Sequence, residues 1–283
     1  MIGAIRKLAG AIKPVIILEY VYRRNHLHNF SYALSALVVC VCILYGQWPS
    51  EAEACSRPMG NIFFSYIFFF MITFSTIIVP LRASMIFTLE KEKNTLTLLR
   101  FSGLNAMEII MSKDFACLIF IAFTLSPLIP FIMACPVFGG ISYALVCEGL
   151  ALLTIFIVFY INAGTALSIM FKKNSAAISA MVLLLLAMHL GSYEIDNYLN
   201  KSNLFFDKGY NNKLFAYFSP IEIYMQFFDK CFFYQNPQQI KTYLDGKMQL
   251  TYLHGALAYL AASIMLFLAN VKFFEKFLKW REA

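Results

Sequence analysis

The chain alternates long apolar stretches with short polar ones. Six apolar stretches stand out, at about 30–48, 61–82, 114–135, 141–171, 175–193 and 250–271, each rich in Phe, Leu, Ile, Val and Met. A helix that crosses a bilayer needs about 20 mainly apolar residues, and these stretches are near or above that length. The segment 141–171 is long enough to tilt or to project beyond the bilayer. The pattern predicts an all-α integral membrane protein with six transmembrane helices. Residues 1–283 then form a single transmembrane domain, with little room for an independent soluble one.

The polar connections carry their own local signals. Residues 14–28 precede the first span, with Pro14 suited to a first helical position and Glu19 four residues before Arg23. An apolar start and a basic end predict an interfacial helix there. His26 and His28 are two apart, so they do not share a helix face as a metal pair would. Pro49, Pro58 and Gly60 mark a short loop at 49–60, and Pro136, Gly139 and Gly140 mark a tight turn between spans three and four. Lys172-Lys173-Asn174 joins spans four and five. The long segment 194–249 contains Ser219-Pro220-Ile221-Glu222, which reads as a capping box with proline at the first helical position. Ile221, Tyr224, Met225, Phe228 and Phe232 then recur at three and four, which predicts an amphipathic helix on the outer face or against the spans. In the tail 272–283, Lys272, Lys276 and Lys279 share one face while Phe274, Phe277 and Leu278 lie away from it. That suits a basic anchor on the inner leaflet.

Composition sharpens the membrane reading. Hydrophobic residues make up 60% and charged ones 14% of the chain, against about 45–50% and 25% in soluble domains. The mean hydropathy is +0.67. Charge then sets the expected orientation, because basic residues concentrate on the cytoplasmic side. With both termini inside, sixteen of the 23 lysines and arginines fall on the inner side, and six of the remaining seven lie in 194–249. The net charge of +7 is therefore a topological signal, and no nucleic-acid partner is needed to explain it. The N-terminus is expected to be retained, since the apolar run Val15–Leu18 stops at Glu19 without a small-residue cleavage site. The expected location is a cell (plasma or inner) membrane. Cys40, Cys42, Cys117, Cys135 and Cys147 read as small buried hydrophobes inside spans. Cys55 and Cys231 fall in outer segments and could pair; no metal spacing occurs.

The most informative polar stretch is 89–113, LEKEKNTLTLLRFSGLNAMEIIMSK. Asn94 can cap a short helix over Thr95–Phe101, in which Leu96, Leu98 and Leu99 make an apolar knob too small to span anything. Ser102-Gly103 breaks it. Asn105 can cap a second helix, with Glu108 three residues on completing the box and Met107, Ile110 and Met111 leading into span three. An apolar-tipped helix flanked by Glu90, Lys91, Glu92, Lys93 and Arg100 suits docking in a groove of another protein. The alternative is a solvated loop whose leucines fold back on the membrane.

The order Arg82, Glu90-Lys91-Glu92-Lys93, Thr95-Leu96, Leu98-Leu99, Glu108-Ile109-Ile110 and Lys113 resembles the pattern of type 2 ABC transporter permeases. Two departures exist: Asn94 stands where glycine is usual, and Ser102-Gly103-Leu104 replaces a proline-containing turn. Beyond this pattern the likeness is architectural and covers the whole chain. The resemblance implies the permease subunit of an ATP-binding-cassette transporter, an exporter, worked by a separate ATPase subunit. In that reading 89–113 is the coupling loop. Its ATPase-coupling residues are Glu90, Lys91, Glu92, Thr95, Leu96, Leu98, Leu99, Arg100, Glu108 and Lys113, and they pass motion to spans two and three. The partners implied are the ATPase, a second permease chain (homo- or heterodimer) and the lipid bilayer. The chain itself binds no cofactor, and the partner subunit uses ATP and Mg. Consistent with a separate motor, no G-x-x-x-x-G-K-[ST] string occurs.

Polar groups inside the spans are the remaining candidates. Glu148 in span four is a costly place for a carboxylate and hence a candidate functional group, or else a rim residue bonded to a neighbouring helix. Asn162 in the same span suits helix packing more than substrate contact. His189 reads as a satisfied interfacial histidine. No enzyme motif appears: H-E-x-x-H and G-x-S-x-G are both absent, so the chain is not expected to be an enzyme by itself. The alternative function is a non-transporting scaffold, assembly or immunity-type subunit that keeps the same fold. Without a line of charges in the spans, amphiphiles, lipids, peptides or bulky glycans are favoured over small ions as substrate.

Overall fold

The computed structural model describes residues 26–46, 48, 59–96, 104–192, 194–195, 198, 219–233 and 251–280. The interfacial segment 14–28, apart from the backbone of its last residues, lies outside them, as do Cys55 and the side chain of Cys231. Among the described residues every regular element is helical. Helix α1 is His26–Gly46, α2 is Gly60–Ser84, α3 is Thr88–Glu92 and α4 is Ala106–Leu125. Then come α5 (Ile129–Ala134), α6 (Tyr143–Met170), α7 (Asn174–Leu186), α8 (Pro220–Phe233) and α9 (Thr251–Trp280).

Among the described residues, five helical segments are long and apolar enough to cross a membrane: Gly60–Glu92, Ala106–Phe138, Tyr143–Met170, Asn174–Gly191 and Leu253–Lys276. The described residues are thus all-α, and the chain is a multi-pass membrane protein. The first expected span corresponds to the shorter apolar helix Phe30–Gly46. The third begins at Ala106, eight residues before the apolar run at 114, because the helix start is fixed by its cap and not by hydropathy. Asn105 is extended there, and its backbone N–H donates to Glu108 Oε2 at 2.9 Å. At the far end of this span Pro127, Pro130 and Pro136 break the α-helix into 3₁₀ turns and α5. The turn into α6 uses Gly139 and Gly140 at φ of 80° and 87°, a backbone region that glycine enters without strain.

Helix α6 is the centre of the bundle, packed mainly between α2 and α9. The contact with α2 is backbone-close at Gly164, where an added Cβ would stand 2.9 Å from both the Pro80 carbonyl and the Ser84 amide. Small residues let membrane helices approach this way. The contact with α9 is polar: Asn162 Nδ2 donates to Ser263 Oγ at 2.9 Å, and Asn270 Nδ2 donates to the Asn162 carbonyl at 2.9 Å.

Helix α8 forms where the capping signal predicts it, but it turns a different face inward. Ile223, Tyr224, Phe227 and Phe228 are buried, while Met225 is exposed and Ile221 only partly covered. The reason is aromatic packing: Tyr224, Phe227 and Phe228 all surround Phe68 of α2 at about 6 Å between centroids, and Tyr224 also meets Phe156 of α6 at 4.9 Å. His189, in a π-helical turn at Ala187–Gly191 after α7, ties this end together. Its ring nitrogens lie 3.2 Å from Ser219 Oγ and 3.4 Å from Tyr160 Oη.

Candidate functional site

Residues 88–96 lie at the end of the bundle where α2 stops and α4 starts. Helix α2 ends at Ser84, and residues 85–87 form a turn before α3. That break would orphan backbone N–H groups, and a neighbouring helix supplies their acceptor. Ser168 Oγ, in the last turn of α6, accepts from the Phe87 N–H at 2.7 Å and from the Thr88 N–H at 3.1 Å.

Helix α3 then presents three consecutive charged residues, about 100° apart around its axis, to three different helix ends. Glu90 pairs with Lys113, in the second turn of α4, and the Lys113 ammonium also lies 5.5 Å from the Phe87 ring centre. Lys91 Nζ donates to the carbonyls of Ser168 (2.8 Å), Ile169 (2.6 Å) and Phe171 (2.9 Å), the open C-terminus of α6. Glu92 Oε1 accepts from the backbone N–H of Asn174 at 2.7 Å, the first residue of α7. Thr88 Oγ1 is 3.1 Å from Asn174 Oδ1. The signs match the helix dipoles, with an ammonium on a carbonyl-rich C-terminus and a carboxylate on an N–H-rich N-terminus. Phe87 also packs on Phe274 of α9 at 4.9 Å, so this one turn touches four other helices.

Asn94 ends α3. Its φ is +56°, its N–H donates to the Lys91 carbonyl at 3.3 Å, and the Thr95 N–H donates to the Glu90 carbonyl at 3.0 Å. This is a Schellman-type C-terminus, which needs a left-handed residue just past the helix: glycine first, asparagine next. An N-cap would need extended backbone, which Asn94 lacks. Leu96 is buried in the chain's own core at 5% exposure, so it is not part of a displayed knob. Leu98, Leu99 and Arg100 lie outside the described residues. Glu108 is on α4, where its carboxylate closes the helix start.

The two remaining candidates lie fourteen residues apart on α6. Glu148 is half-buried in the second turn of α6, at the opposite end of the helix from Ser168. Asn162 serves the α6–α9 contact described above.

Several working residues carried weak sequence signals. Ser168 and Thr88 are hydroxyl residues that apolar runs absorb without comment. Asp114, whose carboxylate accepts from Thr165 Oγ1 of α6 at 2.8 Å, was the stronger signal: an acid in an apolar run, directly after Lys113. Arg82 lies with its guanidinium carbon 3.4 Å from the Phe120 ring centre, a cation–π contact between α2 and α4. No family model and no curated protein matches this chain.

Proposed function

We propose that the chain is the membrane-spanning permease subunit of an ATP-binding-cassette transporter, an exporter whose ATPase is a separate polypeptide. The observation that carries this reading is how the segment before residues 97–103 is mounted. Glu90, Lys91 and Glu92 fasten it to the ends of α4, α6 and α7, so a push on the loop is felt across the bundle. A loop that only connected two spans would need no such anchorage. Asn94 supports the likeness to type 2 permeases as well, since it occupies the left-handed position that a glycine fills with least strain.

In this reading Leu98, Leu99 and Arg100 meet a groove on the ATPase, and nucleotide-driven closure of that groove is the energy input. The force available is the difference in the loop's contacts between the two ATPase states. The basic end faces the cytoplasm, with both termini inside and six spans. Two permease chains complete the transporter.

The test is the double variant Leu98→Asp, Leu99→Asp. Each buried leucine is worth about 1.5–3 kcal/mol, so losing two weakens capture more than about a hundredfold. ATPase copurification and ATP hydrolysis should both fall while insertion and yield persist. A variant that captures its ATPase and turns over normally leaves the loop without its role and favours a non-transporting scaffold.

A further inference from the structure

We infer that the turn joining α6 to α7 moves with α3 as one rigid body, and that Lys91 is the pin that makes it so. The inference deepens the coupling reading and rests on it for its purpose, though not for its geometry. It changes the route of transmission: motion of the loop reaches α6 and α7 directly, not only α2 and α4.

The contacts run in both directions across the junction. From α3, the Lys91 ammonium places its three donors on three carbonyls at 2.6–2.9 Å, and Glu92 holds the first amide of α7. From α6, the Ser168 hydroxyl holds the two amides that the break before α3 sets free. Each partner therefore satisfies groups the other leaves open, and neither segment can shift alone without stranding polar groups. An unmade hydrogen bond at a buried group is far more costly than a made one is favourable. Separation is thus penalised while joint movement is not. Ser168 is fully buried and Thr88 likewise, so water cannot readily replace these partners.

The rest of the surroundings fits a body that moves as a unit. Lys172 and Lys173, in the turn itself, are exposed, and Lys93 and Asn94 on the other side are exposed too. Lys91 acts through backbone carbonyls and touches no substrate, so it is a positioning residue.

Amide hydrogen exchange on the purified full chain in lipid nanodiscs tests the geometry without any partner. Lys91→Met removes the pin on the α3 side, and Ser168→Ala removes the hydroxyl that holds the Phe87 and Thr88 amides from the α6 side. Each substitution should speed exchange about tenfold or more in both segments, Phe87–Glu92 and Asn174–Ala177, leaving the interior of α2 unchanged. Faster exchange in only one of the two segments, or in neither, overturns the one-body proposal. If Lys91→Met fails to fold, Lys91→Gln and Ser168→Ala carry the same test.

A second measurement separates this inference from the permease reading. Spin labels at positions 93 and 172 report the distance across the clasp, with the captured ATPase given nucleotide. One body predicts an unchanged distance in the parent chain and a broadened one in Lys91→Met. A parent distance that changes on nucleotide addition refutes the pin. Failure of the parent to capture any ATPase refutes the permease reading, and the exchange result then decides the clasp by itself.

Discussion

Replacing Lys113 by methionine should destabilise the bundle by about 3.5–4 kcal/mol. The figure follows from the surroundings of the pair. Lys113 is 2% exposed, and its partner Glu90 keeps 21% of its side chain open. Removing one partner of a fully buried ion pair costs about 3–5 kcal/mol, because the other charge is left without compensation. Glu90 is not fully buried, which places the cost at the lower end. Loss of the contact with the Phe87 ring adds about 0.5–1 kcal/mol. The double variant Glu90→Gln, Lys113→Met leaves neither member of this pair charged without the other, so it should cost less than the sum of the singles by about 2 kcal/mol. The assay is reversible unfolding of the purified chain in bicelles or mixed micelles, run as a double-mutant cycle. Single variants that each cost under about 0.5 kcal/mol, or a double variant equal to the sum within about 0.5 kcal/mol, would refute the reasoning.

Three further outcomes are expected. Gly164→Val should part α2 from α6, because even the first added carbon stands 2.9 Å from backbone atoms of Pro80 and Ser84. Overpacking of this kind costs about 1–3 kcal/mol, read by the same unfolding assay, and a neutral result would mean the helices can slide. Glu148→Gln should be tolerated in yield, assembly and transport, since the carboxylate lies in the second turn of α6 and not at mid-bilayer. Loss of transport with normal assembly would reassign Glu148 as functional. A cysteine at position 93, in a background without native cysteines, should label only after the membrane is opened; labelling from outside intact cells would invert the proposed orientation.

Hydropathy made the helices legible, and caps corrected their ends. The six apolar runs coincide with α1, α2, α4, α6, α7 and α9, since a bilayer-length run has few alternatives to a helix. The start of α4 at Ala106 was readable only through Asn105 and Glu108. What the sequence hid is the destination of the charges. Glu90, Lys91 and Glu92 look the same whether they face solvent, a partner or their own chain. Lys91 and Glu92 find backbone groups of α6 and α7, some eighty residues away, and Glu90 finds the Lys113 side chain on α4, destinations that no local pattern encodes. Asn94 was misread for a related reason: asparagine is favoured both before a helix and just after one, and only its φ decides. On α8, periodicity located the helix, but Phe68 chose the face.

The permease reading stands or falls on one purification. The parent chain, extracted from its native membrane in mild detergent, should bring with it an ATPase of the ATP-binding-cassette type, in about equal amount to the permease chain. Recovery should drop sharply for Leu98→Asp, Leu99→Asp at equal yield. Recovery of the folded parent chain with no ATPase, across detergents that keep it intact, would contradict the assignment and leave a membrane scaffold as the function to be explained.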